Sequence, residues 1–85
     1  MASGALTAAE THLQEALQTF TEHGYRPEEA RTHLDLATVA HAQGSAAAAA
    51  THLRAAYGLF TELQAPKYVE RTEQLARAYG VTLVG

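Results

Sequence analysis

The chain is expected to fold entirely from helices, and three observations predict it. Apolar residues recur at spacings of three, four and seven along four stretches. Glycine or proline punctuates each stretch. The chain also repeats itself at a fixed offset of 40 residues, Gly4 to Thr21 (GALTAAETHLQEALQTFT) matching Gly44 to Thr61 (GSAAAAATHLRAAYGLFT). The two copies share Ala8/Ala48, Ala9/Ala49, Thr11/Thr51, His12/His52, Leu13/Leu53, Ala16/Ala56 and Phe20/Phe60. The match continues at Glu22/Glu62 and resumes at Arg31/Arg71 and Thr32/Thr72. A repeat of this length marks stacked helical units, each burying a face that its neighbours supply. No strand pattern of convincing length competes, so the expectation is an all-α fold of antiparallel hairpins, about four helices, with residues 1–85 as one domain.

The first helix is predicted from Thr7 to Glu22, with Thr7 as N-cap and Glu10 completing a capping box. Leu6, Ala9, Leu13, Ala16, Leu17 and Phe20 form its apolar face, and Gln14, Gln18 and Glu22 lie mostly opposite. His23 and Gly24 end it. Pro27 opens the second helix, where its missing N–H is no loss. Glu28 and Glu29 then place negative charge at the positive end of the dipole. Ala30, His33, Leu36, Ala37 and Ala40 form its stripe, Leu34 and Val39 widen it, and Gly44 stops it after Gln43.

Ser45 is the expected N-cap of the third helix. The Gly44-Ser45 junction forces a tight hairpin, and the alanines from Ala46 to Ala50 let the two backbones approach. Leu53, Ala56, Tyr57 and Phe60 continue that face. Pro66 opens the fourth helix, Val69, Leu75, Ala76 and Tyr79 are its apolar side, and Gly80 ends it. The tail Val81-Thr82-Leu83-Val84 has two readings, packing back on the helices or fraying.

At 85 residues the core is marginal when built alone. The net charge of −3 includes no basic patch, which argues against nucleic acid as a partner. The longest apolar run, Ala46 to Ala50, is far short of a membrane span, and no basic-then-apolar leader opens the chain. Absence of cysteine excludes disulfides and thiolate metal sites within these residues and fits a cytoplasmic setting. Five histidines raise the question of a metal. His12 and His52 share a repeat position, His33 and His41 are eight apart, and no HExxH occurs, so no metal and no cofactor is expected. Glu28 with Glu29, and Glu70 with Glu73, are the paired carboxylates, but neither pair has a neighbouring nucleophile. No catalytic residue is expected, and the glycines at Gly4, Gly24, Gly44 and Gly80 are turn glycines rather than a phosphate loop.

The hairpin from Ala30 to Thr61 resembles a tetratricopeptide repeat. Leu36-Ala37 and Ala40, Gly44, then Ala49, Leu53 and Ala56 carry the resemblance. Ala9, Leu13 and Ala16 look like the second helix of a preceding repeat, and Leu75-Ala76 and Tyr79 like the first helix of a following one. The likeness therefore spans a half repeat, one full repeat and another half. The chain is most similar to the long-period version found near the C-terminus of large bacterial regulators. It departs from the standard repeat in its offset of 40 residues, against about 34. It departs also at His33 and Ala40, where a large aromatic and a tyrosine are usual.

The resemblance implies a right-handed superhelix whose first helices line a concave groove for a protein or peptide partner. By analogy Arg31, Leu34, Thr38 and His41 face that groove, with Glu70, Glu73 and Arg77 on the fourth helix. The bland alternative is a solvated face. The ends are a second candidate surface, since Leu6, Leu13, Leu17, Tyr79 and Leu83 lack a further helix to cover them. Three functions follow: a scaffold that binds another protein or another domain of its own polypeptide, a homodimerising module, and, more weakly, a small-molecule sensor.

Overall fold

A computed structural model describes residues 2–83 of the chain, with side chains from residue 4. The fold is all-α with four helices: α1 (Ala2–His23), α2 (Arg26–Ala42), α3 (Ala46–Glu62) and α4 (Pro66–Tyr79). Among the described residues no helix is long and apolar enough to cross a membrane. Links of only two or three residues join the helices, and each helix packs mainly on its neighbours along the chain. The shortest dimension, 19 Å, is about two helix diameters, so the helices lie in two layers.

All four helices stop in the same way. In the first, Gly24 N–H donates to the Thr21 carbonyl and Tyr25 N–H to that of Phe20. The same pair of bonds recurs at Gly44 and Ser45, at Gln64 and Ala65, and at Gly80 and Val81. This is the Schellman arrangement, which needs one residue of positive φ after each helix. Glycine supplies it three times; Gln64 supplies it once, at φ 54°. Short links of fixed shape turn each helix back on the previous one.

One predicted cap is displaced, and the other holds its position without a side-chain bond. The helix α1 begins at Ala2, so Thr7 lies inside it, where its carbonyl accepts the Thr11 hydroxyl at 3.1 Å. Ala5 and Leu6 are strong helix formers and carry the helix past the Thr7–Glu10 signal. Ser45 does precede α3, but its side chain makes no capping bond; its carbonyl accepts the Ala49 N–H at 3.0 Å.

The core cluster is built from α2, α3 and α4: Ala30, Leu34, Ala37, Leu53, Ala56, Phe60 and Ala76 are all at most 5% exposed. Alanine where helices meet and leucine or phenylalanine where they diverge is the predicted arrangement. Phe60 also stacks on Tyr68 of α4, centroids 4.8 Å apart and planes at 11°. Thr32 and Thr72, repeat mates, are buried too. Each hydroxyl donates to the carbonyl four residues back, Glu28 and Tyr68, at 2.8 Å, so burial leaves no donor unmet.

The tail packs back. Val81 and Leu83 lie against the core cluster, and Arg54 Nε donates to the Thr82 carbonyl at 2.9 Å. Val84 is outside the described residues. Tyr79 packs on the same cluster and stacks on His41 of α2 with centroids 3.8 Å apart. Tyr79 and Leu83, read from the sequence as an open end, are therefore half-buried parts of the core edge: the turn at Gly80 returns the chain over α3.

Candidate interaction surface

The helix α1 stands apart from the others. Among its described side chains none is fully buried; Leu6, Ala9, Leu13, Ala16, Leu17 and Phe20 are all half-buried. The repeat supplies an internal standard for that number. Ala49, Leu53, Ala56 and Phe60 of α3 are 0, 0, 0 and 2% exposed. Their mates on α1, Ala9, Leu13, Ala16 and Phe20, are identical in residue type and only half covered. The difference is the neighbour: α3 lies between α2 and α4, whereas α1 packs mainly on α2 among the described residues. Of the residues predicted for self-association, Leu6, Leu13 and Leu17 lie on this half-covered face.

The predicted groove is partly assembled. Arg31, Leu34 and Thr38 line a concavity of about 270 Å³ with Asp35 and, from α4, Tyr68, Arg71 and Leu75. Leu34 is at once a core residue, 5% exposed. His41 lies on Tyr79 instead. Glu70 and Glu73 face the other side of α4, lining a concavity of about 610 Å³ with Tyr57, Phe60, Thr61 and Val69 of the α3–α4 side. Arg77 is exposed and lines neither. The 40-residue offset was the signal that finds the α4 wall: Arg31 maps to Arg71 and Asp35 to Leu75.

A third concavity, of about 560 Å³, opens between α1 and α2, lined by Ala9, His12, Leu13, Asp35, Thr38 and Val39, with Arg71 also bordering it. It is shallow and open to solvent rather than enclosed.

Two histidines that sequence spacing does not connect meet across α2 and α3. Nδ1 of His33 lies 3.0 Å from Nδ1 of His52, with ring centroids 5.2 Å apart. Ring centres so far apart for that contact mean the two nitrogens point nearly head-on. One Nδ1 carries the proton and the other accepts it. Burial lowers the pKa of both rings. The neighbouring imidazole lowers His33 further, while the Glu10 carboxylate of α1 pulls His52 partly back. Both rings are thus held neutral at pH 7. Among the described residues no three histidine, aspartate or glutamate side chains converge as a metal site would require. Glu28, one of the paired carboxylates, instead faces Arg31 at 3.6 Å.

What the surface offers is apolar contact flanked by a few polar groups. Comparison of the chain with models of protein families, with curated proteins and with solved structures returns no match.

Proposed function

We propose that the chain is a helical-repeat scaffold that acts by protein contact, with the half-covered face of α1 as its contact surface. The observation that carries this is the burial of identical residues at repeat-equivalent positions: complete on α3, half complete on α1. Partly covered leucine and phenylalanine along one helical stripe are the kind of apolar surface that association uses. The likeness to long-period tetratricopeptide repeats extends the reading to a segment of a repeat array in a bacterial signalling or transcriptional regulator, working in the cytoplasm on a protein partner or on a domain of its own polypeptide. No catalytic role belongs to this reading. Homodimerisation through the same face is a second reading, favoured by the unbroken run of the stripe from Leu6 to Phe20.

The test separates contact surface from core. Leu17→Lys on α1 is expected to leave the helical circular dichroism intact and to lower unfolding stability by about 1 kcal/mol or less, because a half-exposed site tolerates a lysine whose charge reaches water. Light scattering across a hundredfold range of concentration then reads whether the same substitution abolishes a dimer. Unfolding of the Leu17→Lys chain would show that α1's stripe is core and overturn the proposal.

A further inference from the structure

We propose that the concavity between α1 and α2 is an empty helix seat, and that its occupant is an alanine- and leucine-bearing helix of α2's own type presented by a partner chain. This deepens the contact reading above and rests on it. The argument is the repeat, applied to contacts rather than to residues. Within the chain, α2 sits on α3 and α4. Its His33 meets His52, its His41 stacks on Tyr79, and its Asp35 and Thr38 share a concavity with Leu75. Subtracting 40 from that seat gives His12, Val39 and Asp35. All three line the open concavity, together with Ala9 and Leu13, the mates of the buried Ala49 and Leu53. The surface that holds α2 in the second copy therefore exists in the first copy with no helix of the described residues seated on it.

Continuity with the α2 interface also specifies the occupant's chemistry. Ala9 and Leu13 match the α3 residues that α2 covers with an alanine-rich stripe, so the incoming helix needs small residues at its centre. His12 is the mate of His52, so a histidine or another single donor–acceptor belongs opposite it. The other wall differs. Where α4 offers Leu75 to α2, the seat offers its mate Asp35. A carboxylate with Arg71 beside it, in place of an apolar group, asks for a polar residue on the incoming helix facing that wall.

The experiment titrates a fluorescent peptide of residues 26–44, the α2 sequence, with the full chain and reads anisotropy. Saturable one-to-one binding is expected, weakened at least about tenfold by Leu13→Lys in the seat and unchanged by Gln14→Lys on the exposed side of the same helix. Thr38→Lys, on the α2 wall, gives the same loss without touching α1. No binding up to about 1 mM peptide, an affinity too weak to hold a helix in place, overturns the proposal. Binding that survives both Leu13→Lys and Thr38→Lys also overturns it, since the peptide is then replacing α2 in its own seat. A dimer of the peptide-free chain that Leu13→Lys dissociates, with no peptide bound, replaces the α2-type occupant with a second copy and leaves the contact surface standing. Unfolding of the Leu13→Lys chain removes the contact surface itself.

Discussion

Leu13 and Leu53 hold the same position of the repeat, so truncating each to alanine removes the same atoms from two different surroundings. Leu53 is fully buried among Ala37, Ala56 and Phe60. Removing a leucine side chain from such a site costs about 3–4 kcal/mol, the transfer term plus the cavity left behind. Leu13 is only partly buried, lines an open concavity and leaves no sealed cavity when shortened. Only part of its transfer term is lost, about 1 kcal/mol at 25 cal/mol/Å² for the area it does bury. The expected gap between the variants is therefore about 2–3 kcal/mol. Urea unfolding at 25 °C, with both variants and the parent fitted to one m value, reads it directly. Equal losses of about 3 kcal/mol would show that α1's stripe is as well covered as α3's, and the contact surface would not exist. Losses under about 1 kcal/mol at both sites would mean the repeat face is not the core at all.

Phe60→Ala, which removes both a core ring and the Tyr68 stack, is expected to cost about 3–5 kcal/mol by the same measurement. Gln64→Gly is expected to stabilise the chain by about 0.5–1 kcal/mol, because φ 54° strains a side chain that glycine lacks; an unchanged unfolding midpoint would refute that strain. The His33–His52 pair makes stability depend on pH. Both pKa values lie below the ordinary 6.5, so the unfolded chain binds the protons more readily. The pair's contribution is then complete above pH 6.5 and is lost as pH falls below it, levelling off once the folded rings are themselves protonated. Urea midpoints at pH 7.5 and 5.5 check this, and His33→Gln with His52→Gln is expected to flatten the difference; a midpoint that rises on acidification would reverse the sign.

Helix number, order and every end but the start of α1 were legible in the sequence because they are set locally. Gly24, Gly44, Gly80, Pro27 and Pro66 fix the turns, and three-four spacing fixes the faces of α2 and α3. What sequence reading missed has a common physical cause. The Thr7 cap was outweighed by helix formers on its N-terminal side. Burial of Thr32 and Thr72 is not visible in apolar spacing, because it depends on each hydroxyl bonding its own helix backbone. The α4 wall was placed on Glu70 and Glu73, about one helical face away from Tyr68, Arg71 and Leu75. The His33–His52 contact joins residues 19 apart on different helices, and only packing brings them together.

The packing of each helix mainly on its chain neighbours bears on how the molecule comes apart. Contacts that are short along the chain favour fast folding, and they also let a stack open from its ends. The helix α4 is fastened by Phe60, Thr72 and the returning tail, whereas α1 is held chiefly by α2. The first opening event is thus the release of α1 while α2, α3 and α4 stay folded, and amide exchange along α1 should outpace the rest. Anything seated between α1 and α2 closes that opening, so occupancy of the surface sets the lifetime of the helix that forms it.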